Sequence, residues 1–424
     1  MSRYPLAGLV TIALAASACS DSVAPVTAGR TPLPHASEGR GVFHRYVAIG
    51  TSISMGFASD GVIAADQASS WPAQLAALAG RDLTQPYIDG TGCRSPLRAP
   101  LASGIRLSGE AAGASPPSLS CAALRPDVTL PVQNTAIAAA LTQDVLYTTP
   151  ENITDANYAT LYSRVLLPGM TQVTSMMAQH PKFVSVELGG NEVLGARNGV
   201  AIPGITMFPV SAWKPLYHAV LDSVQQTAKM AVVTGLIADA GSFAGFRRGD
   251  ELWADRATFA AAFNVTVSPD CAGSPNLLFV PVRVPVAVAT GAAYARAGLG
   301  PYTLVCSGAG PTTPDYVLTP DEIAVVNAQL AEMSAHIRAE AEHRGLAYFE
   351  LDALYGRSDL KPAYSVLAQM TSASPYGPYI SLDGLHPNAL GSKVLADAAA
   401  HAINARYDLG IPTSEGSSVF ASRQ

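Results

Sequence analysis

Three stretches of the sequence contain residues that can carry out nucleophilic catalysis, two of them directly after apolar runs and one just before the last predicted helix. Ser52 and Asn191 each follow such a run, and Asp383 stands three residues before His386. A carboxylate at this spacing can hold one imidazole nitrogen and aim the other outward as a general base. Taken singly, Ser52 also fits a helix cap and Asn191 a turn. Only the combination indicates a nucleophile, a base and a donor to a developing oxyanion.

Short apolar runs that alternate with helical stretches must position these residues. We predict strands at 45–50, 85–89, 182–188, 230–237 and 346–351. We predict helices at 70–80, 157–180, 212–229, 320–344 and 389–407. Alternation of this kind predicts one α/β domain, over residues 42–408, with a mostly parallel five-stranded sheet covered on both faces. Large loop insertions are expected at about 94–150 and 240–318. Because ligands bind outside the carboxyl ends of parallel strands, the three stretches should converge there.

The order of these blocks resembles that of the SGNH hydrolases, the GDSL-like lipases and esterases. The resemblance is carried by residues 50–52, 189–192 and 383–387, and it covers roughly residues 44–408 without the insertions. It implies a three-layer α/β/α sandwich of the flavodoxin-like type. It also implies Ser52 as the nucleophile, His386 as the general base and Asp383 as the residue that holds the imidazole.

The same resemblance implies three donors to the oxyanion. They are the Asn191 side chain, the Ser52 N–H and the N–H of a glycine after the second strand, which is Gly92 or Gly90, with Gly92 preferred. The chain departs from the family at Thr51 and Glu192, where the family usually has Asp. Neither position belongs to the triad, so the departures concern the rigidity of the loops.

The motif Gly-x-Ser-x-Gly, which marks the nucleophile of α/β-hydrolases, is absent, because Ser54 and not Gly stands two residues after Ser52. The resemblance therefore implies a serine esterase or lipase that hydrolyses lipid or short-to-medium acyl esters through an acyl-enzyme on Ser52. Two alternatives remain: a carbohydrate O-deacetylase or O-acyltransferase on the same fold, and an inactive surface lipoprotein that binds glycan or lipid. The apolar segment 193–213 fits an acyl pocket or lid and an ordinary surface insertion equally well.

Charge and ligand spacing argue against several other partners. The net charge is -6 and no basic block is present, so a nucleic-acid partner is not expected. His336 and His343 lie on one predicted helix without a third ligand nearby, so no metal is expected, and nothing calls for a cofactor. The expected partner is a small-molecule or lipid ester substrate; the oligomeric state is left open.

The first nineteen residues have the pattern of an export signal, with Arg3, an apolar stretch from Leu6 to Ala16 and small residues before Cys19. Such a signal ending on Cys is typical of a bacterial lipoprotein acylated on that cysteine. The alternative is an ordinary secretory signal. We expect a tether at 20–41, a loose tail at 409–424, and an exported protein anchored by lipid in the outer membrane or periplasm, or else secreted. The membrane is contacted only through this anchor.

Four further cysteines remain in the exported chain: Cys93, Cys121, Cys271 and Cys306. An even number in an oxidising compartment predicts two disulfides, for which three connectivities exist. Pairing neighbours in sequence would close two loops in Gly/Pro-rich stretches. The spacing supports neither a zinc site nor a redox motif.

Overall fold

The computed structural model describes residues 40–114, 119–310 and 312–413. Their strands are β1 (Tyr46–Gly50), β2 (Phe183–Glu187), β3 (Met230–Gly235), β4 (Phe246–Arg248), β5 (Val265–Val267), β6 (Leu277–Phe279), β7 (Tyr302–Leu304), β8 (Val317–Leu318) and β9 (Ala347–Glu350). Four of them form the central sheet, which is parallel throughout and has the order β1-β2-β3-β9. All residues of β1 and β2 are buried, so both faces of this sheet are covered. The mixed α/β fold with a parallel sheet is as predicted.

Helices connect and cover these strands. They are α1 (Ser52–Met55), α2 (Ala64–Ala68), α3 (Trp71–Leu78), α4 (Thr142–Tyr147), α5 (Ala159–Val165), α6 (Gln172–Ala178), α7 (Asn191–Leu194), α8 (Val210–Thr227), α9 (Gly249–Ala254), α10 (Arg256–Phe263), α11 (Val280–Arg296), α12 (Pro320–Arg344), α13 (Asp352–Tyr355), α14 (Val366–Thr371) and α15 (Ala389–Tyr407). On the sheet, α15 contacts α3 and β9, whereas α12 contacts α8 and β3.

Local sequence explains where several helices begin and end. The Thr319 side chain accepts a hydrogen bond from the Glu322 N–H at the start of α12, and the helix stops at Gly345 in the left-handed conformation. The single helix predicted at 157–180 is instead two, α5 and α6. Leu166 at the end of α5 is already extended, and Pro168 and Gly169, the latter with a φ of +72°, lie between the two helices.

The prediction of a strand at 85–89 is wrong. The Gln67 side chain there donates to the Pro86 carbonyl (2.8 Å) and accepts from the Ile88 N–H (2.9 Å), which replaces the partners a sheet would supply. The outer edge of β1 is occupied by residues 133–137, where Asn134 forms a single parallel bridge with Ala48. The sheet of the described residues therefore has four strands and one bridged segment rather than the five strands predicted.

The insertion at 240–318, expected as a large loop, has its own secondary structure. It contains α9, α10 and α11 and two small sheets, one of β5 and β7 and the other of β4, β6 and β8, the last strand lying at its end. Its Gly245 N–H donates to the Gly384 carbonyl (2.8 Å), within the loop that precedes His386. A Cβ on Gly384 would lie 2.8 Å from the Gly245 Cα, so only glycine allows this contact.

Both disulfides join neighbouring cysteines, Cys93 with Cys121 and Cys271 with Cys306. The predicted signal 1–19 with Cys19, the tether up to residue 39 and residues 414–424 of the predicted tail lie outside the described residues. The tail's first residues pack against the domain, because Ile411 is buried and exchanges two hydrogen bonds with the Asn404 side chain. Among the described residues, no helix is both long and apolar enough to span a bilayer.

Candidate active site

The structure brings Ser52, His386 and Asp383 into one chain of hydrogen bonds. His386 Nε2 lies 2.9 Å from Ser52 Oγ, and His386 Nδ1 lies 2.8 Å from Asp383 Oδ2. A carboxylate can only accept, so Nδ1 carries the proton and the Nε2 lone pair faces the serine hydroxyl. Phe57 packs edge-on against the imidazole, with ring centroids 5.0 Å apart, and limits its rotation. This arrangement can remove the serine proton when Oγ attacks an electrophile.

Asp383 is buried and accepts hydrogen bonds at both carboxylate oxygens. Its Oδ1 accepts from the N–H groups of Leu385 and His386, both at 2.9 Å, and from the Ser381 hydroxyl at 3.1 Å. Burial by itself raises the pKa of Asp383, but the His386 charge and these donors outweigh burial and hold the pKa well below its usual value. The carboxylate therefore stays ionised beside the imidazole.

The turn at Ser59 and Asp60 also holds Asp383, in a way the sequence did not reveal. The Asp60 N–H donates to Asp383 Oδ2 at 2.8 Å. The Asp60 carboxylate in turn pairs with Arg94 at 3.1 Å and with the buried Arg106 at 2.6 Å. Both arginines come from the insertion at 94–150, and Arg94 directly follows Cys93. This insertion therefore fixes the turn that supports the Asp383 carboxylate.

Glu187, the last residue of β2, stabilises the turn that carries Ser52 through hydrogen bonds. Its buried carboxylate accepts from the Thr51 N–H (3.0 Å), the Thr51 hydroxyl (2.8 Å) and the Ser54 N–H (3.2 Å). Burial raises the pKa of Glu187, while the donors from Thr51 and Ser54 lower it in part. The resemblance implies an Asp at position 51. Here Thr51 occupies that position, and the carboxylate beside it is that of Glu187 on the neighbouring strand.

Asn191 begins α7, directly after the glycines that follow β2. Its amide donates to the Ala140 carbonyl at 2.9 Å, and an amide nitrogen has a second N–H to give. Glu192 next to it is buried and accepts from the Thr142 N–H at 2.7 Å, which ties this turn to the start of α4. Burial raises the pKa of Glu192. Asn191 and Ser52 line the same cavity.

Gly92 and Gly90 do not fit the predicted oxyanion role. The Gly92 N–H donates to the Asp89 carbonyl at 3.0 Å, and the Gly90 N–H donates to the Asp89 side chain at 2.8 Å. Both glycines belong to the turn after 85–89, which is not part of the sheet. The prediction of Gly92 is therefore wrong, because it relied on a strand at 85–89 that the structure does not contain. The segment beside β1 leads instead to Ala139, whose φ is 63°.

A cavity of about 80 Å³ opens beside Ser52, His386 and Asn191. Most of its remaining walls are hydrocarbon side chains from after β3, from α12 and from the insertion at 240–318. The segment 193–213 contributes only its first part, residues 193–197. Trp213, at its end, is buried in α8 and donates to the Thr142 hydroxyl at 2.9 Å. Within the described part of the chain, no cluster of three or more His, Cys, Asp or Glu is placed to hold a metal ion.

Sequence reasoning missed Glu187, Asp60 and Arg106. A signal was present for Glu187: a carboxylate inside a fully buried apolar strand needs a partner. No local pattern marks Asp60 or Arg106, because they meet across 46 residues of chain.

No protein-family model and no curated protein sequence matches the chain. Its structure is similar to solved structures of esterases and lipases. An acetylxylan esterase from Geobacillus stearothermophilus is 10% identical, with 84% of this chain and 93% of that one covered and a TM-score of 0.34. An extracellular lipase from Streptomyces rimosus is 13% identical over 85% and 98%, with a TM-score of 0.33. A protein from Parabacteroides merdae described as a GDSL-like lipase is 9% identical over 87% and 95%, with a TM-score of 0.31.

Proposed function

We propose that the chain hydrolyses carboxylic esters through an acyl-enzyme formed on Ser52. Ser52 Oγ attacks the ester carbonyl carbon while His386 Nε2 takes the hydroxyl proton, and the protonated imidazole gives that proton to the departing alcohol. Water then attacks the acyl-enzyme, with its proton passing to His386. The acid leaves as Ser52 Oγ regains the proton. Asp383 stays ionised throughout and stabilises the imidazolium.

The proposal assigns three donors to the oxyanion. Ser52 is the first residue of α1, and the first N–H groups of a helix have no partner within it. Asn191 has one amide N–H beyond that given to Ala140. We assign the third donor to the N–H of Ala139 instead of Gly92. Ala139 lies between two residues that contact the site. The Ile137 N–H donates to the Gly50 carbonyl (3.1 Å), and the Ala140 carbonyl accepts from the Asn191 side chain.

The observation that carries the proposal is the relay from Ser52 through His386 to Asp383, with links of 2.9 and 2.8 Å. The test is turnover of p-nitrophenyl esters and covalent labelling by a fluorophosphonate probe. Ser52→Ala and His386→Ala should each reduce kcat by about 10⁴-fold or more, because triad members act as a unit. Asn191→Ala should cost about 10²–10³-fold in kcat. Ser163→Ala, on the exposed side of α5, is the matched control and should keep both signals.

The same experiment separates the alternatives. Labelling that survives Ser52→Ala would mean that another residue is the nucleophile. Absence of both labelling and turnover on every ester would overturn the hydrolase and favour a binding lipoprotein. Turnover restricted to acetylated polysaccharide, or acyl transfer to an added sugar in preference to water, would indicate the deacetylase or acyltransferase.

We further propose that the protein is exported and acylated on Cys19. Two disulfides in the folded domain support an oxidising compartment. Metabolic labelling of a bacterial host with an alkyne fatty acid should mark the full chain and should not mark Cys19→Ser. Equal labelling of the two chains would contradict the lipid anchor, and an unlabelled chain in the medium would support the ordinary secretory signal.

A further inference from the structure

The cavity beside Ser52 is built almost entirely of hydrocarbon beyond the catalytic groups. Leu236, Phe243, Phe246 and Val326 line it, and each of these side chains except the partly buried Phe243 is at least nine-tenths buried. Arg197 is an exposed exception among the lining residues. A wall of this composition gives water few hydrogen-bond partners, so its natural occupant is apolar.

The cavity lies at the carboxyl edge of the sheet and is bordered by the ends of all four strands. Its lining includes residues that follow β1 (Ser52), β2 (Asn191), β3 (Leu236) and β9 (Leu351), which is the spatial order of the strands. Three strand spacings of about 4.8 Å give a span of about 14 Å. An acetyl group attached to Ser52 would fill only the beginning of such a space, whereas an unbranched alkyl chain has the matching shape.

From these two features we infer that the site takes esters of medium-chain aliphatic acids, with the acyl chain lying in this cavity. The inference rests on the proposed ester hydrolysis, since Ser52 fixes the carbonyl end of the chain. The alcohol part of the ester then lies on the other side of Ser52, outside the cavity. The cavity therefore determines which acyl groups are accepted.

The insertion at 240–318 acquires a role on this basis. Ala240, Phe243 and Phe246 from its beginning and Leu318 from its end form one wall of the cavity. The contact between Gly245 and Gly384 attaches this wall to the loop that carries His386. A chain without the insertion would expose the acyl site to water at this side.

Val326 on α12 is a specificity-determining residue in this scheme. It is only 3% exposed and lines the cavity, whereas Val325, next to it on the same helix, is 41% exposed and lies outside the lining. Val326→Phe therefore adds a ring to the cavity, and Val325→Phe makes the same chemical change on the surface.

The experiment measures kcat/KM for p-nitrophenyl acetate, butyrate, octanoate and dodecanoate. For the wild type, kcat/KM should rise with chain length by up to about fourfold for each added methylene, the equivalent of about 0.8 kcal/mol, until the cavity is filled. Val326→Phe should lower the value for octanoate and dodecanoate about tenfold or more. The value for acetate should fall much less, so the ratio of the octanoate to the acetate kcat/KM should drop. Val325→Phe should keep the wild-type profile.

Melting curves show whether Val326→Phe folds; if it does not, Val326→Leu supplies a smaller obstruction and Leu330→Ala a larger cavity, with opposite expected shifts in preferred chain length. A wild type that prefers acetate, or a chain-length profile that none of the cavity variants moves, would overturn the acyl site while ester hydrolysis stands. Loss of turnover on every ester together with loss of fluorophosphonate labelling in the wild type would instead refute the hydrolysis itself.

Discussion

The Glu187 carboxylate accepts hydrogen bonds from both the N–H and the hydroxyl of Thr51, at 3.0 and 2.8 Å. The two residues lie at the carboxyl ends of adjacent strands, and the contact fixes the turn on which Ser52 stands. Burial raises the pKa of Glu187, so its ionised form depends on these donors. The strand end thus supplies a positioning group for the proposed nucleophile.

We expect Glu187→Ala to lower kcat by about 10–100-fold with little change in KM, because a small displacement of Ser52 misaligns the attack. Glu187→Gln keeps an acceptor for the Thr51 and Ser54 N–H groups and should lose much less. Thr51→Ser is the conservative control and should retain activity, while Thr51→Val should resemble a mild form of Glu187→Ala. Steady-state kinetics and the rate of fluorophosphonate labelling measure the effect. A Glu187→Ala protein that melts earlier but keeps its kcat would reduce Glu187 to a purely structural role.

The buried Arg106 supports Asp383 through Asp60, so Arg106→Met should affect both folding and catalysis. The substitution removes one of the two arginine partners of the Asp60 carboxylate. It also removes the hydrogen bonds that Arg106 donates to the carbonyls of Asp60, Ser95 and Ala112. We expect a loss of about 3 kcal/mol in the free energy of unfolding, measured by urea denaturation. We also expect a lower kcat in the fraction that folds.

Arg125→Met provides the comparison for Arg106→Met, since Arg125 forms an exposed ion pair with Asp127 at 2.7 Å. Exposed pairs contribute about 1 kcal/mol or less. Equal effects of the two substitutions on stability and kcat would rule out the special role of Arg106.

The two disulfides should differ in what they do for activity. They close loops with sequence separations of 28 and 35 residues, so removing either one should cost a similar amount, about 3.5 kcal/mol in the chain-entropy model. Replacing Cys93 and Cys121 by Ser should also lower kcat, because Arg94 beside Cys93 holds Asp60. Replacing Cys271 and Cys306 should leave kcat near the wild-type value. Melting temperatures and initial rates below the transition provide the measurement, and the reverse order of activities would contradict this assignment.

Asp66 in α2 predicts a pH dependence of stability. Burial, followed by the charge of Asp383, raises the pKa of Asp66 from 3.8 to about 6 in the folded protein. The folded state therefore binds this proton more tightly than the unfolded chain, so the Asp66 contribution to stability falls as the pH rises from about 4 to above 6.

Asp66→Asn should accordingly stabilise the protein by about 1–2 kcal/mol at pH 8, after allowance for solvent screening, and have little effect near pH 4. Asp82→Asn, at an exposed position, is the control and should show no such difference between the two pH values. Urea denaturation at both pH values measures the free energy of unfolding. A stabilisation by Asp66→Asn that is the same at both would show that ionisation is not its cause.

Much of the fold followed from local pattern. The apolar runs that became β1, β2, β3 and β9 are short and largely buried, and capped helices separate them. Such features depend on neighbouring residues in the sequence. The segment 85–89 is Gln-Pro-Tyr-Ile-Asp and is not a strand, because Pro86 has no N–H to give to a sheet and the Gln67 side chain of α2 bonds the backbone of Pro86 and Ile88.

The sequence by itself determined the candidate site residues: Ser52, Asn191, Asp383 and His386 each stand where a strand or loop opens toward the carboxyl edge, and the structure brings them together. Only the tertiary structure decided what holds them. Glu187 reaches Thr51 across 136 residues of sequence, and Asp60 reaches Asp383 across 323. Such contacts depend on the register between strands and on the path of the insertions. Neither produces a periodic pattern of residue types in the sequence. The same reason explains why Gly92 was mistaken for an oxyanion donor and why the hydrocarbon cavity, assembled from four strand ends and an insertion, became visible only in the folded protein.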